Sequence, residues 1–193
     1  MKFITIAVAF ALSAGTALAQ TSPPSQAQAP TSTTPGALAV RMIQGAWNGA
    51  KRDIVESADQ MPEANFGFKP VDTVRTFGQI LAHVADSNYF YCARAKGEAP
   101  PSPDGKFEKE ATTKAAVVKA LADSVAYCDA VYASLTESNV AEMVKAPDAR
   151  NPSPRGGPLL SNAAHNVEHY GNLVTYFRIK GMVPPSTKRE GGS

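Results

Sequence analysis

Apolar side chains recur every three or four positions in four separate stretches of the chain. The first stretch runs from Gly36 to about Gln60. Its apolar positions are Val40, Ile43, Trp47, Ala50, Ile54 and Ala58. This spacing places them along one face of an α-helix, whereas a half-buried strand would need strict alternation. The pattern therefore predicts an amphipathic helix with one buried stripe.

The other three stretches have the same periodicity. They cover about 76–97, 112–135 and 158–181. The second opens with Thr76 and has Gln79 three residues later, a spacing typical of a capping box at a helix N-terminus. Four helices of about 20 residues without a convincing strand predict an all-α protein, a four-helix bundle of the up-and-down type.

The N-terminus has a different composition. Residues 1–19 combine one positive charge at Lys2, a short apolar core and a small-x-small site ending at Ala19, which together predict a secretory signal peptide cleaved after Ala19. The segment is too short for a permanent anchor, so no stable membrane insertion is expected after cleavage. Residues 20–36 are polar, proline-rich and uncharged, and we expect a disordered linker. These features predict an exported, periplasmic protein.

The rest of the chain has the size of one domain. Residues 37–187 suffice for a single core, and 188–193 are expected to form a flexible tail. The whole chain has 19 Lys and Arg against 17 Asp and Glu, a net charge of +2. It has no basic stripe with interleaved aromatic residues, so no nucleic-acid partner is expected.

The histidines are the candidate chemical site. His165 and His169 are four residues apart in the fourth predicted helix and so share one face. His83 lies about seven residues into the second helix, and the pair lies about seven and eleven residues into the fourth. In an up-and-down bundle these two helices run the same way, which puts all three imidazoles at one level. The pattern predicts a site for one divalent metal ion.

Three imidazoles leave one coordination position open, as in catalytic rather than structural zinc sites. Nickel or ferrous iron also accepts such a ligand set. His-x-x-Glu-His is also the inverted zincin signature, but those proteases need another carboxylate ligand well downstream, and only 24 residues follow His169. In the competing interpretation the histidines are ordinary core or rim residues of a structural bundle that binds no metal.

Three polar residues lie near the predicted ligands. Asp86 follows His83 by three residues and Asn172 follows His169 by three, so each could accept the second imidazole hydrogen. Glu168 is a candidate general base for a water molecule activated by the ion. Alternatively, Asp86 and Glu168 are ordinary solvated helix charges.

The two cysteines occupy different predicted helices. Cys92 lies near the end of the second helix, and Cys128 lies well inside the third. In a simple antiparallel hairpin they would be more than about 20 Å apart at about 1.5 Å per residue, beyond the reach of a disulfide. We therefore predict two separate thiols, although the long 97–111 connection leaves another placement of the third helix open.

Two motifs resemble a known family. The second predicted helix contains Thr76-Phe-Gly-Gln-Ile-Leu-Ala-His83, with Lys69-Pro70 shortly before it. The fourth contains His165-x-x-x-His169-x-Gly171-Asn172 and then Tyr176-Phe177-Arg178-x-x-Gly181-x-x-Pro184-Pro185. Both motifs resemble signatures of the DinB family, also called DinB/YfiT-like, and the resemblance spans roughly 37–187. It implies a four-helix bundle, often a homodimer, that holds zinc or nickel through residues matching His83, His165 and His169.

The resemblance also suggests a range of activities. Characterised members act as thiol transferases or maleylpyruvate isomerases with low-molecular-weight thiols of the cytoplasm, and most lack a signal peptide. We therefore expect an exported metal-dependent hydrolase or thiol transferase that acts on an unidentified small molecule. The alternative is a non-catalytic metal-binding or stress-associated interaction module. A metal site sealed from solvent by Tyr170, Tyr176 or Phe177 would favour that alternative.

Overall fold

Four long helices account for most of the residues that the computed structural model describes, which are 34–191. In chain order the helices are α1 (Pro35–Gln60), α2 (Phe77–Lys96), α3 (Lys106–Glu110), α4 (Lys114–Ala133), α5 (Gly156–Ile179) and α6 (Pro185–Glu190). A 3₁₀ turn at Glu63–Asn65 and two short strands, β1 (Met143–Val144) and β2 (Ser153–Pro154), complete the list. The predicted all-α four-helix bundle is confirmed, with α1, α2, α4 and α5 as its helices. The predicted signal peptide and most of the predicted linker lie outside the described residues.

The ends of α2 follow the signals in the sequence. The Gln79 amide donates to Thr76 Oγ1 at 3.2 Å, and the Thr76 amide donates to Gln79 Oε1 at 2.9 Å, so the predicted capping box is present. The helix ends at Gly97, whose φ of 77° is in the left-handed region that favours glycine. This capping positions the helix that carries His83.

The core consists of two groups of buried side chains. One lies around the start of α2 and the end of α5, where Phe77 and Phe177 pack edge to face with ring centroids 5.6 Å apart. The other lies towards the opposite end, where Trp47 stacks on Tyr132 at 4.7 Å. All four long helices contribute to burying these rings, and burial of such apolar surface is the main source of stability.

The direction of α4 differs from the prediction. Asn88 on α2 donates to Ser124 on α4 at 3.1 Å, and Cys92 is bonded to Cys128, both pairs being separated by 36 residues. A constant offset means that α2 and α4 run parallel, so the expected up-and-down alternation is wrong at the third long helix. The reason lies in the connection between them, which runs back along α2 through α3 before α4 begins.

The same reversal explains the cysteines. Because α4 starts beside the beginning of α2, Cys92 and Cys128 lie at one level, with their Cα atoms 5.5 Å apart. They form a disulfide, so the prediction of two separate thiols is wrong. Both residues are fully buried, and their bond ties α2 to α4.

The C-terminal segment is more ordered than predicted. Gly181 has a φ of 68° and ends the turn after α5, and Pro185 then begins α6, which extends to Glu190. Arg189 of this helix forms ion pairs with Asp53 and Glu56 of α1. Residues 188–190 of the predicted flexible tail thus belong to α6. Pro185 is well placed at the start of this helix, because a first helical turn accommodates proline.

Within residues 34–191, no helix combines the length and apolar character that a membrane span requires.

Candidate metal centre

The three histidines lie between α2 and α5. These helices are antiparallel, since Tyr176 donates to the Arg75 carbonyl at 2.6 Å near one end and Arg155 donates to the Ala95 carbonyl at 3.0 Å near the other. The structure brings His83, His165 and His169 together, although the predicted reason, two helices running the same way, does not hold. In the antiparallel register that these two contacts set, His83 lies opposite the part of α5 that contains His165 and His169.

The imidazole rings form a compact cluster. Their centroids are 4.4 Å apart for His165 and His169, 4.9 Å for His83 and His169, and 5.1 Å for His83 and His165. One nitrogen from each ring can be chosen so that all three lie within 4.8 Å of one another.

Two of the ring nitrogens have the spacing of two ligands of one ion. His165 Nε2 and His169 Nε2 are 3.1 Å apart. Two nitrogens that bind one tetrahedral zinc at about 2.0–2.1 Å are about 3.3 Å apart, so this pair already has the spacing of two ligands. The cluster could therefore hold a metal ion.

The electrostatic environment keeps these imidazoles neutral. Burial, followed by the neighbouring His165 and His83, lowers the pKa of His169 to about 3. Burial and then the Arg75 guanidinium lower the pKa of His83, and burial and then His83 lower that of His165. A neutral imidazole has a lone pair free for a metal, so the cluster is in its ligating form at neutral pH.

Of the three predicted neighbours, Asn172 is the one found beside a ligand. Its Nδ2 lies 3.4 Å from His169 Nδ1. A ring that binds metal through Nε2 carries a hydrogen on Nδ1, and the Asn172 amide would then present its oxygen to that hydrogen. Asn172 can thus orient His169.

The two predicted carboxylates have different surroundings. Asp86 is only 2% exposed, and its oxygens accept the backbone amides of Phe107 and Glu108 at 3.1 and 3.0 Å. It therefore holds the start of α3. Glu168 is exposed on α5, and its negative charge acts to raise the pKa of His165 against the effect of burial.

Two residues of the site were missed by sequence reasoning. Glu108 on α3 places Oε2 3.4 Å from His83 Nδ1. Arg75 donates to the same carboxylate through Nε at 2.8 Å and Nη2 at 3.3 Å. Glu108 lies in the connection between two predicted helices, and no periodicity in the sequence indicates that this connection folds back on α2. No signal in the sequence pointed to Glu108.

An open cleft reaches the cluster. It has a volume of about 620 Å³ and is lined in part by Arg75, Glu108, His169, Asn172 and Tyr176. Tyr176 is only 5% exposed although it lines the cleft, whereas Tyr170 and Phe177 are buried and do not line it. The Tyr170 hydroxyl donates to Ser186. A small molecule could therefore approach the His169 side of the cluster.

The fold and the site define the class of this protein: a small helical bundle with three histidines gathered beside an open cleft. The family model of the DinB superfamily matches residues 46–173, and the chain belongs to that superfamily. No curated protein matches the sequence.

Several solved structures have a similar fold. A conserved protein from Enterococcus faecalis is 18% identical, with a TM-score of 0.56 over 72% of this chain and 95% of that one. The mycothiol-dependent maleylpyruvate isomerase is 17% identical, with a TM-score of 0.55 over 69% of this chain. A histidine-to-alanine variant of that isomerase is 14% identical, with a TM-score of 0.57 over 69% of this chain. This chain spans 60% of the isomerase in both cases, and the similarity extends to the fold alone.

Proposed function

We propose that this protein is an exported metalloprotein that binds one divalent ion, zinc or nickel, through His83, His165 and His169, and acts as a hydrolase or thiol transferase. The observation that carries the proposal is the set of three neutral imidazoles whose nitrogens lie within 4.8 Å of one another beside a cleft. Membership of the DinB superfamily, which often binds metal, supports the same assignment.

The cleft favours an enzyme over a sealed binding module. His169 and Asn172 line it, so the cleft offers a small substrate a route to the His169 side of the cluster. A bound ion would supply Lewis-acid chemistry and would lower the pKa of a water or thiol bound to it. The chain itself would orient the ligands, through Asn172 at His169, and would offer polar groups along the cleft to a small substrate.

Thiol transfer is one of the two reactions proposed. The isomerase of similar fold is mycothiol-dependent, which makes a low-molecular-weight thiol a reasonable co-substrate to test here. Glu168 is proposed as a base because it is exposed and its charge acts on His165. A Glu168→Gln variant should retain the metal and lose turnover if this role is correct.

Metal content tests the proposal first. The protein is recovered from the periplasm of an expressing bacterium without chelator or histidine tag, and its mass should correspond to a chain that begins at Gln20. Elemental mass spectrometry should find about one zinc or nickel ion per chain, and none in the His83→Ala or His165→Ala variants. Absence of any ion after loading with either metal would refute the proposal.

Turnover is then measured with the loaded protein. Esters, amides and thiol acceptors are supplied in turn, with the His169→Ala variant as the control. A rate above that control would identify the reaction, whereas a full metal load without turnover on any of these substrates would favour the non-catalytic alternative.

A further inference from the structure

Glu108 is the only ionisable side chain in residues 34–191 whose contact with His83 is close enough for an ion pair. Its Oε2 lies 3.4 Å from His83 Nδ1, and the side chains of Glu108 and His83 are 23% and 21% exposed. This distance is longer than the usual 2.7–3.2 Å of a hydrogen bond, so the two groups are close but have no formed hydrogen bond in this structure. The imidazole edge opposite Nδ1 is then free to face the other two histidines.

Two hydrogen bonds attach the segment that carries Glu108 to α2. Asp86 lies almost one helical turn after His83 on α2 and accepts the amides of both Phe107 and Glu108. These two hydrogen bonds attach α3 to the same helix that carries His83. The distance between Glu108 and His83 is therefore set within one connected unit and does not depend on a free loop.

The Arg75 side chain also fixes the position of the Glu108 carboxylate. Arg75 donates two hydrogen bonds to it, through Nε to Oε1 and through Nη2 to Oε2. Such a two-point contact sets the orientation of the carboxylate plane as well as its position. Arg75 is held in turn, because Tyr176 of α5 donates to its carbonyl at 2.6 Å.

We propose that Glu108 is a positioning residue that accepts the Nδ1 hydrogen of His83 and so directs His83 Nε2 towards His165 and His169. A carboxylate in this position fixes the tautomer of a ligating histidine and makes its other nitrogen a stronger donor to metal. The connection between α2 and α4 thus supports the metal site. The expected effect on metal affinity rests on the proposed function, whereas the expected tautomer of His83 does not.

Nitrogen-15 NMR of the histidine rings tests the tautomer in the metal-free protein. At pH 8 His83 should have its hydrogen on Nδ1 in the unsubstituted protein. The Glu108→Leu variant removes the acceptor, and its His83 should shift towards the Nε2-protonated form. Glu108→Gln retains an oxygen acceptor without the charge, and it should restore much of the original tautomer.

Zinc affinity is measured on the same proteins by competition with a chromophoric chelator. Loss of an outer contact of this kind typically weakens metal binding by about 10- to 100-fold. We expect a loss in that range for Glu108→Leu and a smaller one for Glu108→Gln. Glu110→Leu is the matched control, since Glu110 is exposed on the same helix, and it should leave the affinity unchanged.

Two results would overturn the positioning role. One is an unchanged His83 tautomer in a Glu108→Leu variant that melts like the unsubstituted protein. The other is an equal loss of affinity in Glu110→Leu, which would indicate a general effect of charge on α3. If the unsubstituted protein binds no zinc but its His83 tautomer still responds to Glu108→Leu, the proposed function fails and the positioning role is supported.

Discussion

The two halves of the bundle core differ in how their polar side chains are arranged. In the half around the disulfide, Asn162 Nδ2 lies 3.4 Å from the Tyr132 hydroxyl and within 3.8 Å of both cysteine sulfurs, and Asn166 donates to Asn88 at 3.0 Å. These residues are buried and contact one another. In the half around the histidines, His165 Nε2 and His169 Nε2 lie 3.1 Å apart and His169 lines an open cleft. The polar groups of the first half are thus paired with one another inside the fold, whereas those of the second could hold a metal ion.

The boundary between the halves lies at adjacent residues of α5. His165 Nδ1 and Asn166 Oδ1 are both buried without a hydrogen-bond partner among the described residues. A buried polar atom without a partner costs about 1–3 kcal/mol. The two unpartnered atoms therefore lie where the half around the disulfide meets the half around the histidines. Substitutions near this boundary can test whether stability and metal binding are independent.

Removing the disulfide should have the largest effect on stability. A cross-link that closes a segment of 36 residues lowers the entropy of the unfolded chain, and its loss should cost about 4 kcal/mol. The Cys92→Ala, Cys128→Ala double variant should lose this much free energy of unfolding in urea, while its zinc affinity changes by less than about threefold. A much larger loss of zinc affinity would mean that the two halves are not independent.

Zinc binding at the histidines should give the next largest change in the free energy of unfolding. A ligand at 100 times its dissociation constant that binds only the folded state stabilises it by about 2.7 kcal/mol. The unsubstituted protein should show this gain in urea unfolding, and His169→Ala should show none. The disulfide double variant should retain the gain, because its histidines are unchanged. An equal gain in His169→Ala would place the zinc elsewhere.

Some of the features behind these expectations could be predicted from the sequence, and others could not. Hydrophobic periodicity indicated the four long helices, the capping box located the start of α2, and the His165/His169 pair followed from helix geometry alone. The direction of α4 did not, because the connection before it folds back along α2, where Asp86 accepts amides of α3, and periodicity does not encode such a contact between segments about 20 residues apart. The same folding back of the connection places Cys128 beside Cys92 and Glu108 beside His83, so the separate thiols and the missing Glu108 have a common origin.

Asn88→Ala tests how sharply the two halves are separated, and it should have the smallest effect. The Asn88 side chain donates to Ser124 and accepts from Asn166, so its removal leaves two buried groups with fewer partners. We expect a loss of about 2 kcal/mol in the free energy of unfolding. Asn48→Ala on the exposed face of α1 is the control for the change in helix propensity, and it should cost little or nothing.

The zinc affinity of Asn88→Ala decides what its stability loss means. Asn166, which loses its contact with Asn88, is adjacent to His165, so a core that transmits small shifts would move that ring and weaken binding tenfold or more. A core in which α5 is held by its own backbone and by Leu159, Leu173 and Phe177 would keep zinc affinity within about threefold. We expect the second result, because helix α5 has several fully buried apolar contacts on both sides of His165 and loses only one polar contact.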